Sequence, residues 1–144
     1  MEGKNEIVVT SYNCRGINDR NHDYLNNIFK NCDFLFLQET WLYKFQHNIF
    51  DNILSSCQYH AVSAMDDANI ARRGRPYGGC AIIWKQSLKL SVTNIPTISP
   101  RICALKIDSD NSNCLLASVY MPVDDNFDKN FEIYVDLLYE LSSL

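Results

Sequence analysis

A chain of 144 residues with a formal net charge of −4, 47% hydrophobic and 21% charged, has the make-up of one soluble globular domain large enough to bury a core. The acidic balance argues against a nucleic-acid binder working through bulk positive charge, and no run approaches the roughly 18 apolar residues of a membrane span. The opening residues, Met1 to Glu6, are polar and charged, which argues against a secretory signal.

Residues 7–12 are β-branched and apolar and read as a buried strand, stopped by the turn Asn13-Cys14-Arg15-Gly16. Asn18 and Asp19 can cap a following helix in which Tyr24, Leu25, Ile28 and Phe29 recur at helical spacing. Residues 34–38 form a second short apolar run, too short for a helix. It reads as a strand parallel to the first, closing a βαβ unit. Helical spacing returns over residues 43–56 through Phe45, Ile49, Phe50, Ile53 and Leu54.

Strands are then expected at 59–63, 79–84, 88–92, 102–107 and 114–120, the last strongly buried and ending at Met121-Pro122. Between the first two, residues 66–76 read as a polar loop, and its basic cluster Arg72, Arg73 and Arg75 as a solvated one. Residues 127–141 are predicted to form an amphipathic helix with Phe127, Phe131, Tyr134, Val135, Leu138 and Leu141 on one face. The order is that of a mixed α/β fold, and the strands are expected to supply mainly one sheet, whose inner face would be an exposed apolar patch. Poor solubility of the isolated chain follows from that expectation.

Six cysteines are present and none forms a C-x-x-C pair, which excludes a zinc ribbon or a redox motif of that type. They fall in or beside apolar runs and read as reduced, mostly buried thiols of an intracellular protein, nuclear or cytoplasmic.

Three residues are placed for chemistry. Glu39 follows the second strand, at the C-terminal end where open α/β sheets put their ligands, and a poorly solvated carboxylate there calls for a cation or a donor. Asn13 ends the first strand; if the two strands are parallel, its amide and Glu39 converge. Tyr120 ends the last strand and could donate to a phosphate. Each also has a plainer reading by position alone: a surface glutamate, a turn asparagine and a half-buried strand-end aromatic.

Taken in order, Ser11-Tyr12-Asn13-Cys14-Arg15-Gly16, Leu37-Gln38-Glu39-Thr40-Trp41, Tyr77-Gly78-Gly79-Cys80-Ala81-Ile82 and Val119-Tyr120-Met121-Pro122 resemble the successive motifs of the endonuclease/exonuclease/phosphatase superfamily. The Glu-Thr-Trp form and the Gly-Arg-Pro-Tyr-Gly-Gly stretch at 74–79 are most similar to endonuclease domains of non-LTR retrotransposons, which accompany a reverse transcriptase. The resemblance implies the N-terminal part of a two-sheet α/β sandwich of the deoxyribonuclease I type, and magnesium- or manganese-assisted phosphodiester hydrolysis with DNA as substrate. It implies Glu39 as the metal ligand, Asn13 beside it and Tyr120 on the scissile phosphate.

The family's Gly-Asp-x-Asn and Ser-Asp-His motifs do not occur in the sequence, and His22, His47 and His60 fit neither. The expectation is therefore a partial domain over residues 1–144, lacking its C-terminal part and inactive alone, because catalytic groups that act as a unit are strongly non-additive. Two alternatives remain: a phosphatase or phospholipid phosphodiesterase of the same superfamily, and a non-catalytic interaction module.

Overall fold

The computed structural model describes residues 6–65, 76–109 and 112–144. The basic cluster Arg72, Arg73 and Arg75 lies outside them.

Two strands, β1 (Val9–Asn13) and β2 (Phe34–Gln38), pair in parallel with helix α1 (His22–Lys30) crossing between them. This is the expected βαβ unit. A short helix α2 (Ile49–Ile53) leads to β3 (Cys57–Val62) and β4 (Cys80–Lys85), which pair antiparallel. Strand β4 also pairs antiparallel with β2, giving one sheet in the order β1-β2-β4-β3. Strands β5 (Ser91–Ile95), β6 (Ile102–Ser109) and β7 (Ser112–Val119) form a second, antiparallel sheet, and helix α3 (Asp128–Ser143) follows. The expectation of mainly one sheet is thus corrected: two sheets are present.

Alternation along the central strands explains how these layers stack. Phe34 on β2 and Cys80, Ile82 and Trp84 on β4 point to one side and pack with Cys103 and Leu105 of β6, forming the core between the sheets. The intervening Leu35, Leu37, Ala81 and Ile83 point to the other side, where Leu25 and Phe29 of α1 and Phe50 and Leu54 around α2 cover them. The continuous apolar runs of β2 and β4 reflect this burial on both faces. On the far side of the second sheet, Ile102 and Ala104 pack against Leu137 of α3, with Ile133 and Leu141 beside it. The layers are therefore helix, sheet, sheet, helix.

Several expectations change in detail. Among the described residues only β2 pairs with β1, which makes it an edge and leaves Val9 50% exposed. Strand β7 is likewise an edge, with Leu115 43% exposed and Ser118 its one buried residue. Asn18 does not cap α1. Its side-chain oxygen accepts from the Arg20 N–H instead, while Asn21 precedes the helix and accepts from the Asn18 N–H. The expected helix at 43–56 is broken into a 3-10 turn, Lys44–Gln46, and the five residues of α2. The strand expected at 88–92 begins later, at Ser91, because Gln86–Leu88 form a 3-10 turn closed by left-handed Lys89. On α3 the packed face is Ile133, Leu137 and Leu141. Phe127 and Phe131, both 68% exposed, together with Tyr134 and Leu138, face outward.

Candidate active site

The C-terminal ends of β1 and β2 lie side by side, with Asn13 opposite Gln38 in the ladder. Beyond Gln38 the chain turns sharply. Glu39 (φ 53°) and Trp41 (φ 56°) both adopt left-handed backbone, a conformation that costs a non-glycine residue of order 1 kcal/mol or more and persists only where the surroundings enforce it. Here they do. The Glu39 carbonyl accepts from the Gly16 N–H (2.7 Å) and the Thr40 carbonyl from the Ile17 N–H (3.0 Å). On the other side, the Thr40 and Trp41 N–H groups donate to the carbonyls of Gly79 (3.1 Å) and Gly78 (2.9 Å). The Glu39-Thr40-Trp41 segment is thus stitched between the two glycine turns noted in the sequence.

Those glycines are required by contact as well as by conformation. A Cβ on Gly16 would sit 2.3 Å from Cε3 of the Trp41 indole, and one on Gly79 would sit 2.5 Å from the Thr40 hydroxyl. Cys14 lies beneath the turn, its thiol donating to the carbonyls of Gln38 (3.2 Å) and Glu39 (3.4 Å). Burial pushes that thiol up to about 12, so it remains a neutral donor.

The Asn13 side-chain amide donates to Glu39 Oε1 at 3.1 Å, and its own oxygen accepts from the Arg15 N–H at 3.2 Å. The Tyr120 hydroxyl and the Trp41 indole also lie near enough to the carboxylate to favour its charged form. Partial burial disfavours the charged form of Glu39, but the Asn13 amide, the Tyr120 hydroxyl, the positive charge of Arg15 and the Trp41 indole together outweigh it. The carboxyl therefore lies below the usual carboxylate value. The same proximity acts in reverse on Tyr120, whose hydroxyl is pushed up first by the neighbouring Glu39 carboxylate and then by burial. Asn13, Glu39 and Tyr120, singled out separately in the sequence, are gathered in one place. Among the described residues no group of three or more His, Cys, Asp or Glu side chains is placed to hold a metal ion.

Sequence reasoning missed the residues behind this constellation. Gln38 and Ser118 join the two sheets directly under it. The buried Gln38 amide donates to Ser118 Oγ at 2.9 Å, and Ser118 donates to the Leu37 carbonyl at 3.1 Å. Arg101, just before β6, holds its guanidinium 5.0 Å from the centre of the Tyr120 ring. Only the stacking of the sheets brings Gln38 to Ser118, and the pairing of β6 with β7 sets Arg101 beside Tyr120.

The sequence profile of the Endonuclease/Exonuclease/phosphatase family matches residues 10–133. No curated protein matches the chain by sequence. Among solved structures, a 3′ phosphatase from Neisseria bound to a product DNA hairpin is similar over 96% of this chain and 51% of its own, with 15% identity and a TM-score of 0.64. An AP endonuclease from Leishmania major is similar over 92% of this chain and 48% of its own, with 17% identity and a TM-score of 0.62. The endonuclease domain of a telomere-specific non-LTR retrotransposon is similar over 92% and 53%, with 12% identity and a TM-score of 0.57. The chain spans about half the length of each of these structures.

Proposed function

We propose, from the premise that this chain belongs to the Endonuclease/Exonuclease/phosphatase family, that it carries the first part of a metal-assisted phosphodiesterase site acting on DNA. The observation that carries the reading is the convergence of Asn13 and Tyr120 on the Glu39 carboxylate at one end of the paired sheets. The family's hydrolytic, nuclease and phosphatase character agrees with it, and the similar Neisseria 3′ phosphatase, bound to a product DNA hairpin, supports DNA as the substrate class.

Glu39 is the metal ligand in this reading. Magnesium or manganese suits a carboxylate that is kept charged and stays partly open to solvent, because such ions take one or two carboxylates and fill the rest of their shell with water and substrate oxygens. The cation would supply positive charge against the phosphoryl and leaving oxygens. Asn13 orients the carboxylate by donating to Oε1, which leaves one face of Glu39 presented in a fixed direction. Tyr120 keeps its proton at neutral pH, so its hydroxyl remains a donor that can pass from Glu39 to a phosphate oxygen.

Residues 1–144 are, in the same reading, part of a domain. The groups that activate water and grip the phosphate from the other side are not among the residues assembled here, so the isolated chain binds the cation but does not turn over. An intracellular setting, nuclear or cytoplasmic, is supported by six unpaired thiols.

The test is Mn2+ binding to the isolated chain, followed by water-proton relaxation, beside a plasmid-nicking assay. Binding that Glu39→Ala abolishes, with no nicking above background, is the expected result. Failure of the native chain to take up Mn2+ would overturn the metal reading, and nicking that depends on Glu39 would overturn the partial-site reading.

A further inference from the structure

Tyr120 lies at the end of β7, a half-buried residue just outside the last ladder pair, Ile102 with Val119. A side chain in such a position ordinarily has freedom to turn about χ1 and leave its contact. Here one residue engages it three times. The Tyr120 N–H donates to the Arg101 carbonyl at 2.9 Å, extending the ladder by one rung. The Arg101 side chain then folds back, its Nη1 donating to the Tyr120 carbonyl at 3.2 Å. Its guanidinium carbon rests 5.0 Å from the Tyr120 ring centre, inside the roughly 6 Å reach of a cation–π contact.

Arg101 is itself anchored to the opposite sheet. Its carbonyl also accepts the buried Cys80 thiol of β4 at 3.4 Å, and its N–H donates to Ser99 Oγ at 3.2 Å. The residue therefore spans the first sheet, the second sheet and the Tyr120 ring at once. A planar guanidinium is suited to this, because it can stack on an aromatic face while its edge donates hydrogen bonds, which an ammonium point charge does less well.

We propose that Arg101 is a positioning residue that clamps the Tyr120 ring, so that the phenol hydroxyl is held against Glu39 rather than swinging into solvent. The purpose of the clamp rests on the reading of Tyr120 as a phosphate donor. Its existence does not, and can be tested without metal or substrate.

The experiment is aromatic 1H–13C NMR of the full chain labelled at tyrosine, with the Tyr120 signals identified by Tyr120→Phe. In the native chain the Tyr120 ring should resonate away from the positions of exposed tyrosines such as Tyr139, displaced by the guanidinium above it. Arg101→Met should bring the Tyr120 ring to the exposed-tyrosine positions while the signals of Tyr12 and Tyr59, remote from the contact, stay where they are. Arg101→Lys should restore part of the displacement. Arg101→Gln, neutral but still able to donate to the carbonyl, should behave like the Met variant and serves in its place should that one not fold. Unchanged Tyr120 signals in Arg101→Met or Arg101→Gln would overturn the inference whether or not Mn2+ binds. Loss of the displacement in a chain that fails to bind Mn2+ would uphold the clamp and sink only the metal reading.

Discussion

The Asn13 amide donates to the Glu39 carboxylate at 3.1 Å, and this bond ties the turn after β1 to the turn after β2. It removes the freedom of a side chain whose backbone is already forced into the left-handed region. The bond also favours the charged carboxylate, as do the Tyr120 hydroxyl and Arg15, against the opposing effect of burial.

A pH dependence follows, and its sign can be worked out. The folded carboxyl lies below its ordinary value, so the stabilisation is fully present above that value and is lost as pH falls through the lower, folded one. Carboxylate-detected 13C NMR should show Glu39 titrating below the ordinary glutamate value. Asn13→Ala should move its midpoint up toward that value. A Glu39 midpoint indifferent to Asn13 would show that the amide contact has no electrostatic weight.

At the alkaline end the thiols dominate. Burial pushes Cys14, Cys80 and Cys103 each up to about 12 from an ordinary value of 9.0. A group whose folded value is raised stabilises below its unfolded value and loses that contribution as pH rises toward the folded one. Stability should therefore hold through neutral pH and decline above about pH 9. At pH 8 a maleimide followed by mass spectrometry should modify exposed Cys114 first and half-buried Cys57 more slowly, leaving Cys14, Cys32, Cys80 and Cys103 intact until the chain unfolds. Rapid labelling of Cys80 or Cys103 in the folded chain would mean that the core between the sheets opens readily.

The link between Gln38 and Ser118 should carry stability as well as alignment. Ser118→Ala removes one acceptor of the buried Gln38 amide, which keeps Ser11 Oγ at 3.2 Å, and the donor to the Leu37 carbonyl. The net loss for each hydrogen bond removed is about 0.5–1.5 kcal/mol. Urea unfolding should show a lower midpoint with an unchanged slope, since the same surface is still exposed on unfolding. Because the bond joins β2 to β7, the same variant should also weaken Mn2+ uptake at Glu39 if the alignment of the two sheets governs the site.

How far the sequence could be read depended on distance along the chain. The meeting of Asn13 and Glu39 was legible, because parallel strand ends in one βαβ unit are neighbours whatever else the fold does. The second sheet was legible as strands but not as a layer, since alternation along β6 does not say which face of β2 and β4 it will cover. The exposure of β1 and β7 was hidden for a related reason: an edge strand and a central strand can carry the same apolar residues, and only the absence of a neighbour separates them. Ser118 was invisible because its partner Gln38, 80 residues away, is brought close only by stacking of the sheets, and Arg101 because its place beside Tyr120 depends on the register of β6 against β7.

Helix α3 gives the sharpest contrast between pattern and packing, because it carries apolar residues on more than one side. The stripe through Phe127, Phe131, Tyr134 and Leu138 has helical spacing, yet Phe131 is 68% exposed and Leu137 only 2%. Leu137 rests on Ile102 and Ala104 of β6, flanked by Ile133 and Leu141 at four-residue intervals. Leu137→Ala should therefore cost about 2–5 kcal/mol, the range for a buried leucine whose cavity collapses incompletely. Phe131→Ala, in spite of the larger side chain removed, should change stability by no more than about 0.5 kcal/mol, as expected away from buried contacts. Chemical denaturation of the two variants decides between the faces. Equal losses, or the larger loss at Phe131, would mean that α3 lies on the sheet by the other face.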